Sequence, residues 1–164
     1  IYNEDWLFFY QDARERRLGS SGHTATQLRY DPFANPQRAA AEEFGDIIAE
    51  GLYALLDDGL STERGTAERW GQFLADRMRI LNEIIDHADM APLDIREKMI
   101  EAVETSRTCL TQITAAMCVD YVERWRQDLG RWEMTLKQIP RVPSIHHALV
   151  RLGLDSAAAE GSRP

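Results

Sequence analysis

Acidic residues on the first long predicted helix have the clearest potential for chemistry in this sequence. Glu43, Asp46 and Glu50 are spaced by three and four residues, so they share one face of that helix. On the next predicted helix, Glu83 and His87 stand four residues apart and also share a face. Carboxylates and imidazoles that point inward from facing helices can hold metal ions inside a helical bundle. These five residues are therefore the candidate metal ligands.

The spacing of these groups departs from the pattern that marks such a metal site. That pattern requires Glu-x-x-His from each of two helices, whereas this sequence has a single Glu-x-x-x-His, at Glu83 and His87. The sequence also lacks a glycine-rich phosphate loop, a Cys-x-x-Cys pair and a nucleophile elbow. We therefore interpret the acidic residues as a solvated face, and we expect no catalytic residue, no metal and no other cofactor.

A second set of candidate residues is largely aromatic and lies in two amphipathic segments. One segment is near the N-terminus, and the other is an apolar stripe in the second half of the chain. Buried aromatic side chains dominate the binding energy of many protein interfaces. The candidate partner-binding residues are Trp6, Phe9, Tyr10, Tyr121, Trp125, Leu129 and Trp132.

Composition and charge narrow the classes of function. A chain of 164 residues with 44% apolar and 28% charged residues is typical of one globular domain. The net charge of −8 disfavours a nucleic-acid partner, because phosphate binding depends on clustered Lys and Arg. No apolar run is long enough to predict a membrane span. The 17 Arg against 2 Lys favour a GC-rich bacterial genome as the origin.

The positions of caps and breaks predict the helices that carry these residues. A short helix is expected from about residue 4 to 17, helix A from 36 to 57 after the cap Asn35, and helix B from Ser61 to about residue 88. One helix C is expected from Pro92 to about residue 139, with a possible kink at Gly130. A last short helix begins after Ser144 and ends at Gly153.

No alternation typical of strands competes with these helices, so the predicted fold class is all-α. We expect an antiparallel helical bundle with one long C-terminal helix and an N-terminal helical arm. The predicted division is an aromatic arm over residues 1–22, a linker over 23–35, the bundle over 36–153 and a disordered tail over 154–164.

The expected core is a stripe on each of the helices A, B and C. Two glycines on these stripes, Gly51 and Gly71, leave two interpretations open: a close approach of helices A and B, or glycines that are merely tolerated. The predicted core residues are Ile47, Ile48, Leu52, Leu55, Leu74, Met78, Leu81, Ile84, Ile85, Met99, Val103, Leu110 and Ile113.

The lengths of the helices lead to the functional prediction. Helix B is long enough to cover helix C only to about residue 118, yet the apolar stripe continues from Tyr121 to Ile139. Exposed aromatic stripes usually mark an interaction site. We therefore expect a non-catalytic interaction or assembly module, or a subunit of a larger bacterial complex. It would bind a protein partner or a second copy through this stripe and the aromatic arm.

Two alternatives remain from the sequence. One is a small helical-bundle enzyme or a metal- or cofactor-binding protein that uses the candidate metal ligands. The other is a peripheral protein that binds an apolar surface through the helix containing Trp6 and Tyr10, although the acidic charge disfavours anionic membranes.

The two cysteines indicate a compartment. Cys109 and Cys118 are nine residues apart on the predicted helix C, which would place them on opposite faces and roughly 13 Å apart along the axis. That separation is too large for a disulfide. Two free thiols fit a reducing environment, so we expect a cytoplasmic protein or one delivered into a host cytoplasm.

Overall fold

The structure is a computed structural model, and it describes residues 4–19, 31 and 33–153. The described residues contain helices and no strand, which confirms the all-α fold class. Two 3-10 turns, Thr62–Arg64 and Ala88–Met90, flank the third α-helix. The six α-helices of the described residues are α1 Glu4–Arg14, α2 Pro36–Asp57, α3 Ala67–Asp86, α4 Leu93–Leu110, α5 Ala115–Gln138 and α6 Ile145–Arg151.

Helix α2 has the bounds that the sequence predicts, because its caps are strong. The side-chain oxygen of Asn35 accepts a hydrogen bond from the Gln37 amide at 3.1 Å, and Pro36 occupies the first turn. At the other end, Gly59 adopts a left-handed backbone with φ of 68°, and Leu60 N donates to Leu55 O at 2.8 Å. This glycine therefore ends the helix and turns the chain.

Helix α3 begins later than predicted. Ser61, the expected cap, makes no capping hydrogen bond and precedes only the 3-10 turn. The cap is Thr66, whose side-chain oxygen accepts from Arg69 N at 3.3 Å. Both residues are good capping types, so the sequence alone did not decide between them.

The prediction of a single helix C is wrong, because the chain breaks at residues 111–114. The Oγ1 of Thr114 accepts from Met117 N at 3.2 Å and so starts α5 as a new helix. Helix α5 continues through Gly130, where the kink was expected. Cys109 and Cys118 consequently lie on different helices, and the spacing argument about them fails, although both are free cysteines.

Backbone contacts divide the chain into two compact units, Ile1–Arg124 and Trp125–Pro164. The predicted boundaries of arm, linker, bundle and tail stay predictions. The end of the arm (residues 20–22), most of the linker (23–30 and 32) and the whole tail (154–164) lie outside the described residues.

The core of the first unit is formed mainly by α2, α3 and α4, as predicted, and α2 and α4 share the most extensive contact. Leu74, Met78, Ile85 and Met99 are half-buried. Ile84 is 37% exposed, so its prediction as a core residue is wrong; it lies in the last turn of α3, beyond that helix's buried residues. The predicted core residues that are buried are Ile47, Ile48, Leu52, Leu55, Leu81, Val103, Leu110 and Ile113.

One of the two glycines marks a close approach of helices. A Cβ built on Gly51 would lie 2.2 Å from Cζ3 of the buried Trp70, and 3.1 Å from a ring carbon of Phe73. Because Gly51 has no side chain, the Trp70 ring of α3 can pack directly on the backbone of α2. A Cβ at Gly71 would meet nothing within 4 Å, so that glycine is merely tolerated.

The described part of the second unit, residues 125–153, contains no buried residue. Trp125 and Leu129 are half-buried, and Trp132 is 55% exposed. Further large apolar side chains are exposed on α5, on α6 and just beyond both: Met134, Leu136, Ile139, Ile145, Val150 and Leu152. Among the described helices of the whole chain, none combines the length and the apolar character needed to cross a membrane.

Candidate functional site

The three acidic residues of α2 converge on a single arginine of α3. Arg77 Nε donates to Glu43 Oε1 at 2.8 Å, and Nη2 donates to Glu43 Oε2 at 3.2 Å. The same guanidinium reaches Asp46 Oδ2 at 3.1 Å through Nη2 and Glu50 Oε1 at 2.9 Å through Nη1. The planar fork of donors in arginine suits this geometry, because it binds one carboxylate at two points and still has donors for others.

Burial shows that Glu43, unlike Glu50, is not part of the solvated face that the sequence predicted. Glu43 is only 1% exposed, and the side chain of Arg77 is 17% exposed. A buried carboxylate must be paired, since an isolated charge in the interior is very costly. The signal that the prediction missed is Arg77 itself, which stands among the apolar residues on the inward stripe of α3.

The charges of the cluster shift the pKa of two of its members. Burial raises the pKa of Asp46; Arg77 opposes this, while the nearby carboxylates of Glu43, Glu50 and Glu42 raise it further. For Arg77, burial acts to lower the pKa, but the hydrogen bond with Glu43 and the charges of Glu43, Glu50 and Asp46 together outweigh it, so the pKa is raised. Arg77 therefore remains a cation, whereas Asp46 is easier to protonate than an ordinary aspartate.

The other two candidate metal ligands have different partners. Glu83 binds Arg79 of its own helix at 2.8 Å, and Nδ1 of His87 donates to the backbone carbonyl of Glu83 at 2.8 Å. Both side chains are exposed. Within the described residues, no three His, Cys, Asp or Glu side chains are grouped so that they could hold a metal ion. The structure thus does not assemble the five candidates into one site.

The N-terminal helix α1 packs on α2 through a ladder of three aromatic rings. The ring of Tyr53 on α2 lies edge-on to Trp6 at 5.7 Å and edge-on to Tyr10 at 5.6 Å between centroids. The hydroxyl of Tyr53 donates to the backbone carbonyl of Trp6 at 3.0 Å. Leu7 is buried beside this ladder. Tyr53 was not among the predicted functional residues, yet it is the residue that fixes α1 in place.

This packing corrects the role predicted for the aromatic arm. Tyr10 is 1% exposed and belongs to the core, so its side chain is not a free partner-binding group. Trp6 and Phe9 remain exposed, as does Phe8, which the prediction did not include. The inward rings of the arm, those of Trp6 and Tyr10, contact Tyr53 of α2.

Tyr121 also differs from its predicted role. It is half-buried, and its ring lies edge-on to Phe44 of α2 at 5.5 Å. At this end of α5 the buried residues are Cys118 and Val122, and Val122 stands one position after Tyr121, where the predicted stripe begins. The break before α5 changes the helical phase, which explains the displacement. Among the predicted partner-binding residues of α5, Trp132 is the most open.

The two thiols are poorly suited to act as nucleophiles. Burial raises the pKa of Cys118 to about 11. Burial and the charge of Glu43 raise the pKa of Cys109, whose Sγ donates to the carbonyl of Ala40 at 3.2 Å. Reactive cysteines have a lowered pKa, because the thiolate is the nucleophile. The structure therefore gives these residues the character of packed apolar groups.

Compared with protein-family models, with curated proteins and with solved structures, the chain matches none of them. Function therefore has to be inferred from the chemistry of the chain's own surfaces.

Proposed function

We propose that this chain is a non-catalytic helical assembly module that associates with a second copy of itself. The proposed docking face consists of five residues of α5 and its end: Trp125, Leu129, Trp132, Leu136 and Ile139. The observation that carries the proposal is the lack of any buried residue among the described residues 125–153, although that stretch is rich in large apolar side chains. Helices of this kind gain stability when a partner removes their apolar face from water.

The spacing of the docking face supports a helical partner. Successive residues of the face are separated by four, three, four and three positions, which is the heptad pattern of helices that pack side by side. Two copies of the same chain carry the same face, so self-association needs no further component. Interface residues of the types Trp and Leu would supply the buried centre of such a contact.

The enzyme or metal-binding alternative has less support. Three of its five proposed ligands are already bound by Arg77, and the other two are exposed and lie at the end of α3. The apolar-surface alternative retains one favourable observation, the exposed aromatic side chains of Trp6, Phe8 and Phe9 on α1. Sedimentation with lipid vesicles of neutral charge would reveal that activity, and loss of binding in Phe8→Ala/Phe9→Ala would assign it to α1.

Sedimentation velocity of the purified chain tests the main proposal. We expect the parent to sediment as an oligomer and the Trp125→Ala/Trp132→Ala variant to associate at least about 30-fold more weakly, because a central interface Trp contributes about 2 kcal/mol or more. Met134→Ala is the matched control, since Met134 is an exposed apolar residue of the same helix outside the heptad face.

Two results would contradict the proposal. The first is a parent chain that stays monomeric at all concentrations. The second is a double variant that keeps the parent's mass while circular dichroism shows an unchanged helix content. A third variant, Trp6→Ala/Phe9→Ala, measures whether the exposed residues of the aromatic arm contribute to the same association.

A further inference from the structure

A pocket of about 230 Å³ lies between α1 and α2 in the first unit. Its lining combines two aromatic rings with two carboxylates and one small apolar residue. The lining residues are Trp6, Asp46, Ala49, Glu50 and Tyr53.

The aromatic wall of the pocket is held rigidly. The rings of Trp6 and Tyr53 are almost perpendicular, at 83°, and form a corner. The hydrogen bond from the Tyr53 hydroxyl to the Trp6 carbonyl joins the two helices, and the buried ring of Tyr10 also packs against Tyr53. Aromatic rings attract cations to their faces, and Trp does so most strongly.

The two carboxylates of the pocket, Asp46 and Glu50, are also held in position, because both are bound by Arg77. Arg77 binds one oxygen of Glu50 and one oxygen of Asp46. The side chain of Glu50 is more than half exposed, and its Oε2 has no hydrogen bond to any residue that the structure describes. Glu50 therefore offers a fixed, solvent-facing acceptor beside the aromatic corner.

The charge around the pocket favours a positive ligand. Glu43, Asp46 and Glu50 share the single positive charge of Arg77, so these four side chains sum to −2. Burial is the main cause that raises the pKa of Asp46, and the negative charges of the nearby carboxylates raise it further, as mutual repulsion requires. A second cation at the open side would relieve that repulsion.

From this geometry we propose that the pocket binds the guanidinium group of an arginine side chain presented by a polypeptide partner. A guanidinium stacks on aromatic faces and donates in its plane to carboxylates, and this pocket provides both. The volume is below the roughly 300 Å³ at which pockets for whole small molecules begin. It suits one functional group delivered on a larger chain. The net charge of −8 would also attract a basic partner.

The test is a titration with a blocked Gly-Arg-Gly peptide, followed by the NMR signal of the Trp6 indole N–H. We expect saturable shifts of that signal with the arginine peptide, weaker shifts with Gly-Lys-Gly and none with Gly-Gln-Gly. Glu50→Gln should weaken binding about tenfold, as expected for the loss of one charge-assisted contact. Glu83→Gln is the matched control, because Glu83 is an exposed glutamate on another helix.

Several outcomes would overturn the proposal. They are an absence of shifts with the arginine peptide, equal shifts with the glutamine peptide, and unchanged affinity in Glu50→Gln. Free arginine that binds as tightly as the peptide would overturn the assignment to a polypeptide. Phe8→Ala should leave binding unchanged, since Phe8 lies on the same helix and does not line the pocket. None of these outcomes depends on the association through α5, so the two proposals can fail separately.

Discussion

Arg77 organises the contact between α2 and α3, because it neutralises a carboxylate that has no access to water. Forming a buried ion pair adds little net stability, since both charges lose their hydration. Removing one partner is strongly destabilising, because it leaves the other charge buried and uncompensated. The asymmetry makes Arg77 a residue whose loss the fold tolerates poorly.

We therefore expect Arg77→Ala to lower the free energy of unfolding by about 3–5 kcal/mol, the range for breaking a buried pair. Urea denaturation followed by circular dichroism measures this change. Arg79→Ala is the control, because Arg79 pairs with Glu83 and Asp76 on the exposed side of the same helix and should have little effect. Equal losses in the two variants would contradict the buried pairing of Glu43.

A second variant separates the loss of the pair from the loss of packing. Glu43→Leu/Arg77→Met replaces both charges by apolar groups, so we expect it to recover most of the stability lost in Arg77→Ala. Thermal unfolding of the parent, of Arg77→Ala and of the double variant gives the comparison. A double variant no more stable than Arg77→Ala would mean that Arg77 acts through its contacts with Asp46 and Glu50.

The stability of the fold should depend on pH through Asp46, because burial raises the pKa of this residue above the ordinary value of 3.8. An acid with a raised pKa in the folded state binds protons more tightly there, so protonation stabilises the fold below 3.8. That stabilisation is lost as the pH rises through the folded pKa. Asp46→Asn cannot titrate, so its stability relative to the parent should increase between acidic and neutral pH.

Urea titrations of parent and variant at a series of pH values measure that difference. The difference in free energy of unfolding isolates Asp46, because the other acids titrate in both proteins. A difference that is constant with pH, or that changes in the opposite direction, would show that the ion pair with Arg77 outweighs the burial of Asp46.

The sequence was enough to predict that the acidic residues share one helical face. It was not enough to predict that Arg77 of the next helix would bind them. The spacing of Glu43, Asp46 and Glu50 requires that they lie together on any helix. Which residue of another helix meets them depends on how the two helices are rotated and shifted, and local spacing does not encode that. The one feature of the sequence that pointed to this ion pair was Arg77, a charged residue on an otherwise apolar stripe.

At the scale of the elements, the pairing of α2 with α3 is antiparallel and close. Gly51 meets Trp70, and acidic residues earlier in α2 meet Arg77 later in α3. The ring of Trp70 is fully buried against the glycine, so the two helices are nearer there than larger side chains would allow. This close contact should make the protein lose stability on a substitution at Gly51 but not at Gly71.

Gly51→Ala and Gly71→Ala should change stability in opposite directions. The methyl group at Gly51 would overlap the Trp70 ring, so we expect a loss of about 1–3 kcal/mol from overpacking. The methyl group at Gly71 would meet open space in a helix interior, where alanine stabilises by roughly 0.5–1 kcal/mol. Thermal unfolding measures both, and a stabilised Gly51→Ala would contradict the close approach.

Helix bounds were predictable where one strong signal stood alone. Asn35 followed by Pro36 marks the start of α2, and Gly59 marks its end. The start of α3 was predicted at Ser61, but Thr66, which is also a good capping residue, makes the capping hydrogen bond. The break before α5 was missed because Thr114 is a weak signal within an apolar stripe that continues on both sides. Gly130 looked like a stronger break, yet a glycine alone does not stop a long helix.

At the scale of the whole molecule, the chain combines a unit that has a buried core with a unit whose described residues have none. The first unit is stabilised by the core shared among α2, α3 and α4. Burial of apolar surface contributes about 25 cal/mol for each Å² removed from water, and residues 125–153 obtain little of it from their own unit. Association through the docking face would supply the missing burial.

Hydrogen–deuterium exchange at low and high protein concentration tests whether the chain assembles through α5, because it reports where association protects the backbone. We expect the amides of residues 125–139 to exchange more slowly at high concentration, and the amides of α2 and α4 to exchange at the same rate at both concentrations. Concentration-independent exchange throughout residues 125–139 would contradict the assembly of this chain through α5.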